Sequence, residues 1–275
     1  MIHSPEFALP GYEMPPVVET AFAVTLRPLP LTVVDLARFG DSTLGHDFPI
    51  PSEQPPVNPL VETFNPAIPN LVPTLSLLSG VPPIRLWFQN EDRTRLVQLQ
   101  RDWLSCNWQS TPDHAAYPRY SAMEALFFQV WDSFSEFAKQ SGHGEAAVTQ
   151  CELMYANHIN AGELWLRHGQ MEKVIRLAGN SGTFLPEPED TQLLYRYRIP
   201  YEGKDIGRLY VQALPSLKKD GSPVIQLNLV ARGTPIDSGR QGIQGFFELA
   251  HEWIVKGFEA VTTNEAQNAL WGKVR

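Results

Sequence analysis

Two stretches of the chain share one pattern, and this pattern constrains the fold more than any other feature of the sequence. Each stretch reads as two short strands followed by a long amphipathic helix, the first over Arg85–Phe137 and the second over Arg208–Val261. In both helices, apolar residues recur at spacings of three and four and form one broad face. Because such a face must cover another apolar surface, we predict an α+β fold in which antiparallel sheets are each covered by a long helix.

Branched and aromatic residues with partial alternation predict the remaining strands. The predicted strands are Val17–Leu26, Thr74–Leu78, Arg85–Gln89, Arg95–Leu104, Val148–Ile159, Thr191–Pro200, Arg208–Gln212 and Val224–Gly233. Helical spacing predicts a short helix within Leu31–Gly40, the long helix Ser121–Lys139, a helix over Gly162–Gly179 and the long helix from Gly242 to Val261. After these, Thr262 and Glu265 have the spacing of a capping box and predict a last short helix.

The order of these elements suggests an internal duplication. VETAFA from Val18 resembles CELMYA from Cys151, RLWFQ resembles RLYVQ, and LVQLQ resembles VIQLN. We therefore predict a pseudo-repeat of strand, helix, strands and long helix within one compact unit. Its halves are residues 1–142 and 143–275, and the first half carries a proline-rich insertion near 49–83. Proline disfavours helix in that insertion, and we predict a covering or binding loop there.

Composition excludes several classes of protein. The chain is 43% hydrophobic and carries a formal charge of -8, which disfavours general nucleic-acid binding, because phosphate contacts require a basic surface. No apolar run reaches the roughly 18 residues that a membrane helix needs, so we predict no membrane association. Two cysteines without a framework spacing, and the absence of a secretory signal, predict a cytoplasmic protein.

Several segments resemble a sporadically distributed family of prokaryotic proteins of about this length. They are PPVVETAF, RLVQLQRDWLSCNW, YPRY, ELMYANHI and AHEWIVKGFEAVTTNEAQNALW. The resemblance spans nearly the whole chain. It implies a prokaryotic cytoplasmic protein, and it brings neither an assigned activity nor catalytic residues.

The candidate binding residues are aromatic. Trp108, Tyr117, Arg119 and Tyr120 precede the first long helix, where rings and a guanidinium would stack a planar ligand or a base. The alternative is a loop held by packed aromatic side chains, with Arg119 paired to an acidic neighbour.

A second aromatic set lies on a predicted strand. Tyr195 and Tyr197 alternate with Arg196 and Arg198, which gives one aromatic face and one basic face. We include both tyrosines among the candidate partner-binding residues.

Motifs for metal binding and catalysis are weak. Glu248 and His251 have ExxH spacing, yet the other long helix offers no second pair, so we predict no metal and no cofactor. Asp113 and His114 lack an accompanying nucleophile signature, and we predict no catalytic residue. The glycines of Gly179–Gly182 follow a predicted helix instead of preceding one, which indicates a turn.

The first functional hypothesis is therefore a non-enzymatic binding module whose partner is another macromolecule, most simply a protein. An alternative is a binder of small apolar or planar ligands, in which a helix grips a curved sheet over a cavity. A third is an enzyme of unrecognised class. The sequence leaves homo-oligomer formation open.

Overall fold

The computed structural model describes residues 9–64, 84–113, 116–176, 184 and 186–274. Its centre is one nine-stranded antiparallel sheet with a few helices, which confirms the α+β class and merges the predicted sheets into one. The strands are β1 (Val17–Leu26), β2 (Ile50–Gln54), β3 (Arg85–Gln89), β4 (Arg95–Gln100), β5 (Trp103–Gln109), β6 (Val148–Asn160), β7 (Leu193–Tyr201), β8 (Lys204–Leu217) and β9 (Pro223–Gly233). Their order is β2-β3-β4-β5-β1-β6-β9-β8-β7.

In the described part of the chain, four α-helices accompany the sheet: α1 (Val33–Phe39), α2 (Tyr120–Gln140), α3 (Gly239–Val261) and α4 (Asn264–Ala269). A capping box between Thr32 and Asp35 starts α1, which continues into a π-helical turn over Gly40–Leu44. Thr263 caps α4, one residue later than the spacing predicted. Within the described part of the chain, no helix has both the length and the apolarity that crossing a bilayer requires.

Both long helices pack on the same face of the sheet. Helix α2 contacts β5 and β1, while α3 contacts β6, β9 and β8. Phe22 of β1 lies where the helices meet, since its ring contacts Phe127 of α2 at 6.1 Å and Phe247 of α3 at 5.0 Å between centroids. The apolar positions of the central strands alternate toward these helices and form the core.

The opposite face of the sheet is more polar. A row of side chains, Arg85, Gln98, Asn107 and Glu19, is joined by hydrogen bonds of 2.9, 2.9 and 3.0 Å across four strands. The extended segment Pro55–Phe64 also contacts this face, through Gln100 of β4 and through Arg208 and Arg232 of β8 and β9. We call this segment the strap.

The prediction of a single strand over Arg95–Leu104 was wrong. The chain turns at Arg101 and Asp102, so β4 ends at Gln100 and β5 starts at Trp103, opposite it in the ladder. This turn contains no glycine, proline or asparagine, and the alternating pattern that predicts a strand therefore continues across it. As a result, RLWFQ and RLYVQ, which resemble each other, occupy the fourth and third strands from the sheet centre and are not equivalent.

One further prediction differs from the structure, one strand was missed, and one predicted strand is not tested. The segment predicted as a helix over Gly162–Gly179 contains a 3-10 helix over His168–Lys173, while its last three residues lie outside the described residues. Gly169 sits there so close to Pro188 that an added Cβ would lie 2.1 Å from the proline carbonyl oxygen. Strand β2 was missed, because prolines surround it, and the predicted strand Thr74–Leu78 also lies outside the described residues.

Gly233 marks a close approach between the sheet and α3, and its substitution provides the first test of this packing. A Cβ at this position would lie 2.3 Å from the Ile206 carbonyl oxygen and 2.7 Å from the Phe246 ring. Because the oxygen belongs to β8 backbone, we expect Gly233→Ala to cost about 1–3 kcal/mol in unfolding free energy, measured by urea denaturation. Gly162→Ala is the control, since among the described residues no atom beyond its chain neighbours lies within 4 Å of the added Cβ. Equal midpoints for the two variants would contradict this packing.

Candidate ligand cavity

A cavity of about 370 Å³ lies between the sheet, the start of α2 and the second half of α3. Its volume falls within the range of small-molecule sites, which is about 300–1,000 Å³. Aromatic rings make up much of the lining, together with one arginine and several aliphatic side chains. The lining includes Tyr12, Tyr117, Arg119, Tyr120, Tyr155, Asn157, Leu229, His251, Ile254, Val255 and Phe258.

Local periodicity places each group of lining residues. Tyr155 and Asn157 are two positions apart on β6 and therefore point to the same face, toward the helices. His251, Ile254 and Phe258 are spaced by three and four residues on α3, which puts them on one side of that helix.

The aromatic side chains form a connected set. The Tyr120 ring stacks on the His251 ring at 4.0 Å between centroids and 13° between planes. The Tyr117 hydroxyl donates to the Tyr155 hydroxyl at 2.8 Å, and Trp108 packs behind Tyr117 at 5.4 Å. The walls are therefore held by ring contacts before any ligand enters.

Burial keeps these walls uncharged. It lowers the pKa of His251 to about 4, so the imidazole is neutral at physiological pH. Burial also raises the pKa of Tyr117 to about 12 and raises the pKa values of Tyr120 and Tyr155. The phenols therefore keep their protons. The Tyr120 hydroxyl donates to Glu124 at 2.8 Å, and the Tyr117–Tyr155 pair retains a hydroxyl proton for a further acceptor.

Arg119 is the cationic member of the cavity lining. Its backbone has φ 72° and ψ 163° at the N-cap of α2, in the left-handed region that non-glycine residues rarely adopt. Within the described ranges, its guanidinium donates only long bonds, of 3.4 and 3.5 Å, to the Tyr12 carbonyl oxygen. Among the described residues no carboxylate lies within ion-pair distance of it, so the predicted pairing of Arg119 with an acidic neighbour finds no partner in that part of the chain. The cavity thus contains a cation without a counter-charge in the part of the chain that is described.

The structure gathers four of the six candidate residues at this cavity. Tyr117, Arg119 and Tyr120 line it, and Trp108 supports Tyr117 from behind. Tyr195 and Tyr197 lie far along the sheet on the edge strand β7, with ring centroids 6.4 Å apart. Tyr197 there borders a second, more apolar cavity of about 470 Å³ between β7, β8 and α3.

The residues of the motifs considered for metal binding and catalysis make other contacts or lie outside the described residues. Glu248 accepts a hydrogen bond from Gln244 at 3.0 Å, and His251 stacks on Tyr120. Within the described ranges no three His, Cys, Asp or Glu side chains converge as a metal site would require. His114 and Gly179–Gly182 are outside the described residues.

Sequence reasoning missed several lining residues, above all Tyr12, Tyr155 and Asn157. Tyr155 and Asn157 lie within a strand whose alternating pattern was recognised. This pattern was a signal that their side chains share one face of the sheet. Which helix that side meets depends on the pairing of β6 with β1 and β9, which local patterns do not encode.

Comparison of the chain with protein-family models, curated proteins and solved structures finds no match. The resemblance to a prokaryotic family and the cytoplasmic location therefore stay predictions.

Proposed function

We propose that this protein binds a small planar ligand with an anionic group in the aromatic cavity. The observation that carries the proposal is Arg119, a guanidinium with no ion pair among the described residues, at the border of a cavity lined by neutral rings. A cation in such surroundings favours an anion, because low local polarity strengthens the attraction between opposite charges. The flat rings favour a planar partner through stacking and edge contacts.

The chemistry of the lining also narrows the orientation of the ligand. A carboxylate would accept hydrogen bonds from Arg119 and from the Tyr117–Tyr155 pair, since both phenols stay protonated. The ring system would then lie against the aliphatic side chains of α3, Ile254 and Val255. Neutral His251 adds no competing charge. This arrangement suits binding, and it supports the small-ligand alternative over an enzyme of unrecognised class.

The test uses a matched pair of probes, 2-naphthoate and its neutral amide, titrated by calorimetry. We expect saturable binding of naphthoate and about tenfold weaker binding of the amide, which corresponds to about 1.4 kcal/mol. Arg119→Met should remove this preference for the acid, whereas the matched control Arg101→Met, an exposed arginine, should preserve it.

A second variant tests the location of the site. Val255→Trp would place an indole in the cavity and should abolish binding of both probes. Folding of each variant is checked by circular dichroism and thermal unfolding. Naphthoate binding that survives both Arg119→Met and Val255→Trp would contradict the proposal, and so would a folded wild-type chain that binds neither probe.

We also infer an internal duplication. Its strand correspondence differs from the one that the similar sequence segments suggest. Counted outward from the centre, β1, β5, β4 and β3 of one half would match β6, β9, β8 and β7 of the other. Helix α2 follows β5 as α3 follows β9. Ala21 and Met154 are cross-strand partners and are separated by the same offset as Glu19 and Glu152, so a pseudo-twofold axis would pass between them. An experimental structure whose halves do not superpose in this register would contradict the duplication.

A further inference from the structure

Three arginines lie directly opposite one another on the face of the sheet that is away from α2 and α3. Arg198 of β7 pairs with Arg208 of β8, and Arg208 pairs with Arg232 of β9. Like charges placed directly across neighbouring strands destabilise a sheet. This row therefore requires anions close by.

Two of the counter-charges come from the sheet itself. Asp205 accepts a hydrogen bond from Arg198 at 2.8 Å, and Glu152 accepts one from the Nε of Arg232. Arg208 has no such partner on the described strands. Its charge is matched by Glu62, which belongs to the strap and is 146 residues away in sequence.

The side chains around Glu62 form a buried binding site for its carboxylate. Its side chain is 4% exposed and accepts from the Nη1 of Arg208, from the Tyr210 hydroxyl at 2.6 Å and from Arg232 at 3.3 Å. Arg208 also donates to the Thr63 carbonyl oxygen at 2.8 Å and lies 4.5 Å from the centre of the Phe64 ring. The sheet thus recognises a carboxylate, the carbonyl that follows it and an aromatic ring.

The rest of the strap makes few polar contacts with the sheet. Apart from Glu62–Phe64, its polar contacts to the sheet are those of Val57, whose N–H and carbonyl both bond to the Gln100 side chain at 3.0 and 2.9 Å. Between these two anchors Leu60 and Val61 are 59% and 64% exposed, and a cavity of about 160 Å³ lies between Val57–Leu60 and the sheet. Pro55, Pro56 and Pro59 cannot donate to a β-ladder, so the strap does not join the sheet as a strand.

The span of the strap requires an extended chain. From β4 to β9 there are four strand spacings, or about 19 Å, and five extended residues cover about 17 Å between Val57 and Glu62. The side chain of Glu62 supplies the remaining reach. An extended proline-containing segment loses little conformational entropy when it docks, which is why such segments serve as ligands.

We propose that Arg208, Arg232 and Tyr210 form a binding site for an extended acidic segment of a partner protein, and that the strap occupies this site until the partner displaces it. The required segment carries a carboxylate followed closely by an aromatic residue, the chemistry that Glu62, Thr63 and Phe64 display. The site lies on the face opposite the aromatic cavity, so its test is independent of the cavity proposal. It gives the predicted macromolecular partner a defined contact.

Opening of the strap is measured on the wild-type chain by amide hydrogen exchange. The Val57 amide should exchange faster than the amides of β1, because its protection depends on one side-chain bond to Gln100 and not on the sheet. Glu62→Gln should accelerate Val57 exchange about tenfold and leave β1 unchanged. Exchange of Val57 only at the rate of global unfolding would overturn the proposal, because the strap would then be a fixed part of the fold.

Binding in trans is measured with a fluorescent peptide of the sequence Gln54–Phe64, with both termini blocked. The receptor is the full chain with Val57–Thr63 replaced by a glycine-serine segment of equal length. We expect this chain to bind the peptide at least about tenfold more tightly than wild type, where the strap competes at high effective concentration. The same peptide with glutamine in place of Glu62 should bind about tenfold more weakly, and Arg208→Met with Arg232→Met in the receptor should abolish binding.

Other outcomes would overturn the site or identify a different occupant of it. Equal binding of the glutamate and glutamine peptides, or no binding by a folded receptor, would overturn the carboxylate site. If wild type forms a dimer in light scattering and Glu62→Gln does not, the occupant is the strap of a second copy and the partner proposal fails. If the replaced chain does not fold, the hydrogen-exchange result on wild type decides whether the strap is displaceable.

Discussion

Phe22→Ala should lower the free energy of unfolding by about 3–5 kcal/mol, the range typical of deleting a fully buried phenylalanine. Phe22 is 0% exposed and lies at the centre of the sheet, on β1. Its ring contacts the rings of Phe127, Tyr120 and Phe247, so it joins both long helices to the central strand. Neighbouring strands hold β1 on both sides, and the backbone cannot collapse into the space left by the ring.

The measurement is urea denaturation followed by circular dichroism, with the midpoint and the m-value fitted separately. Phe184→Ala is the matched control, because Phe184 is 93% exposed and the same deletion there should change the unfolding free energy by less than about 0.5 kcal/mol. A loss of less than about 1 kcal/mol for Phe22→Ala would contradict the arrangement of both helices over β1.

His251 should make the stability of the protein depend on pH below neutrality. Its pKa falls from 6.5 to about 4 on burial, so the unfolded chain binds more protons than the folded chain between these values. The contribution of neutral His251 to the free energy of unfolding is fully present above pH about 6.5 and is lost as the pH falls toward 4. At 1.36 kcal/mol per pKa unit, the loss is about 3 kcal/mol.

The test compares unfolding free energies of wild type and His251→Phe from pH 7 to pH 4. Phenylalanine keeps a ring against Tyr120 and removes the titration. Because burial raises the pKa values of Glu19 and Glu124, which act in the opposite direction, the difference between the two proteins is the informative quantity. His46→Gln is the control of opposite sign, since His46 lies at the surface and its hydrogen bond to Asp47 raises its pKa. Parallel pH profiles for wild type and His251→Phe would show that His251 is not buried in the folded protein.

Local patterns were sufficient for the long helices and for most strands. The apolar stripe of α3 and the alternation of β6 are properties of adjacent residues, so they predict an element without knowledge of its neighbours. The hairpin at Arg101 and Asp102 shows the limit, because one aspartate without glycine, proline or asparagine is a weak local turn signal. Missing β5 shifted the apparent correspondence of the strands by one position in the sheet.

The candidate cavity was anticipated in part. Tyr117, Arg119 and Tyr120 lie within four residues of sequence, and the combination of two phenol rings with a guanidinium was enough to select them. Tyr195 and Tyr197 were selected on the same grounds but lie on a distant edge strand, since an alternating pattern does not specify where its strand lies in a sheet.

The sequence by itself therefore determined both long helices, most of the strands and the α+β class of the protein, because hydrophobic periodicity acts over a few residues. Only the tertiary structure decided that one sheet unites the chain, that Tyr155 and His251 complete the cavity around Tyr120, and that Glu62 meets Arg208. The contacts Tyr155–His251, Tyr120–His251 and Glu62–Arg208 join residues 96, 131 and 146 positions apart, and they follow from strand order and register. Local periodicity specifies neither property.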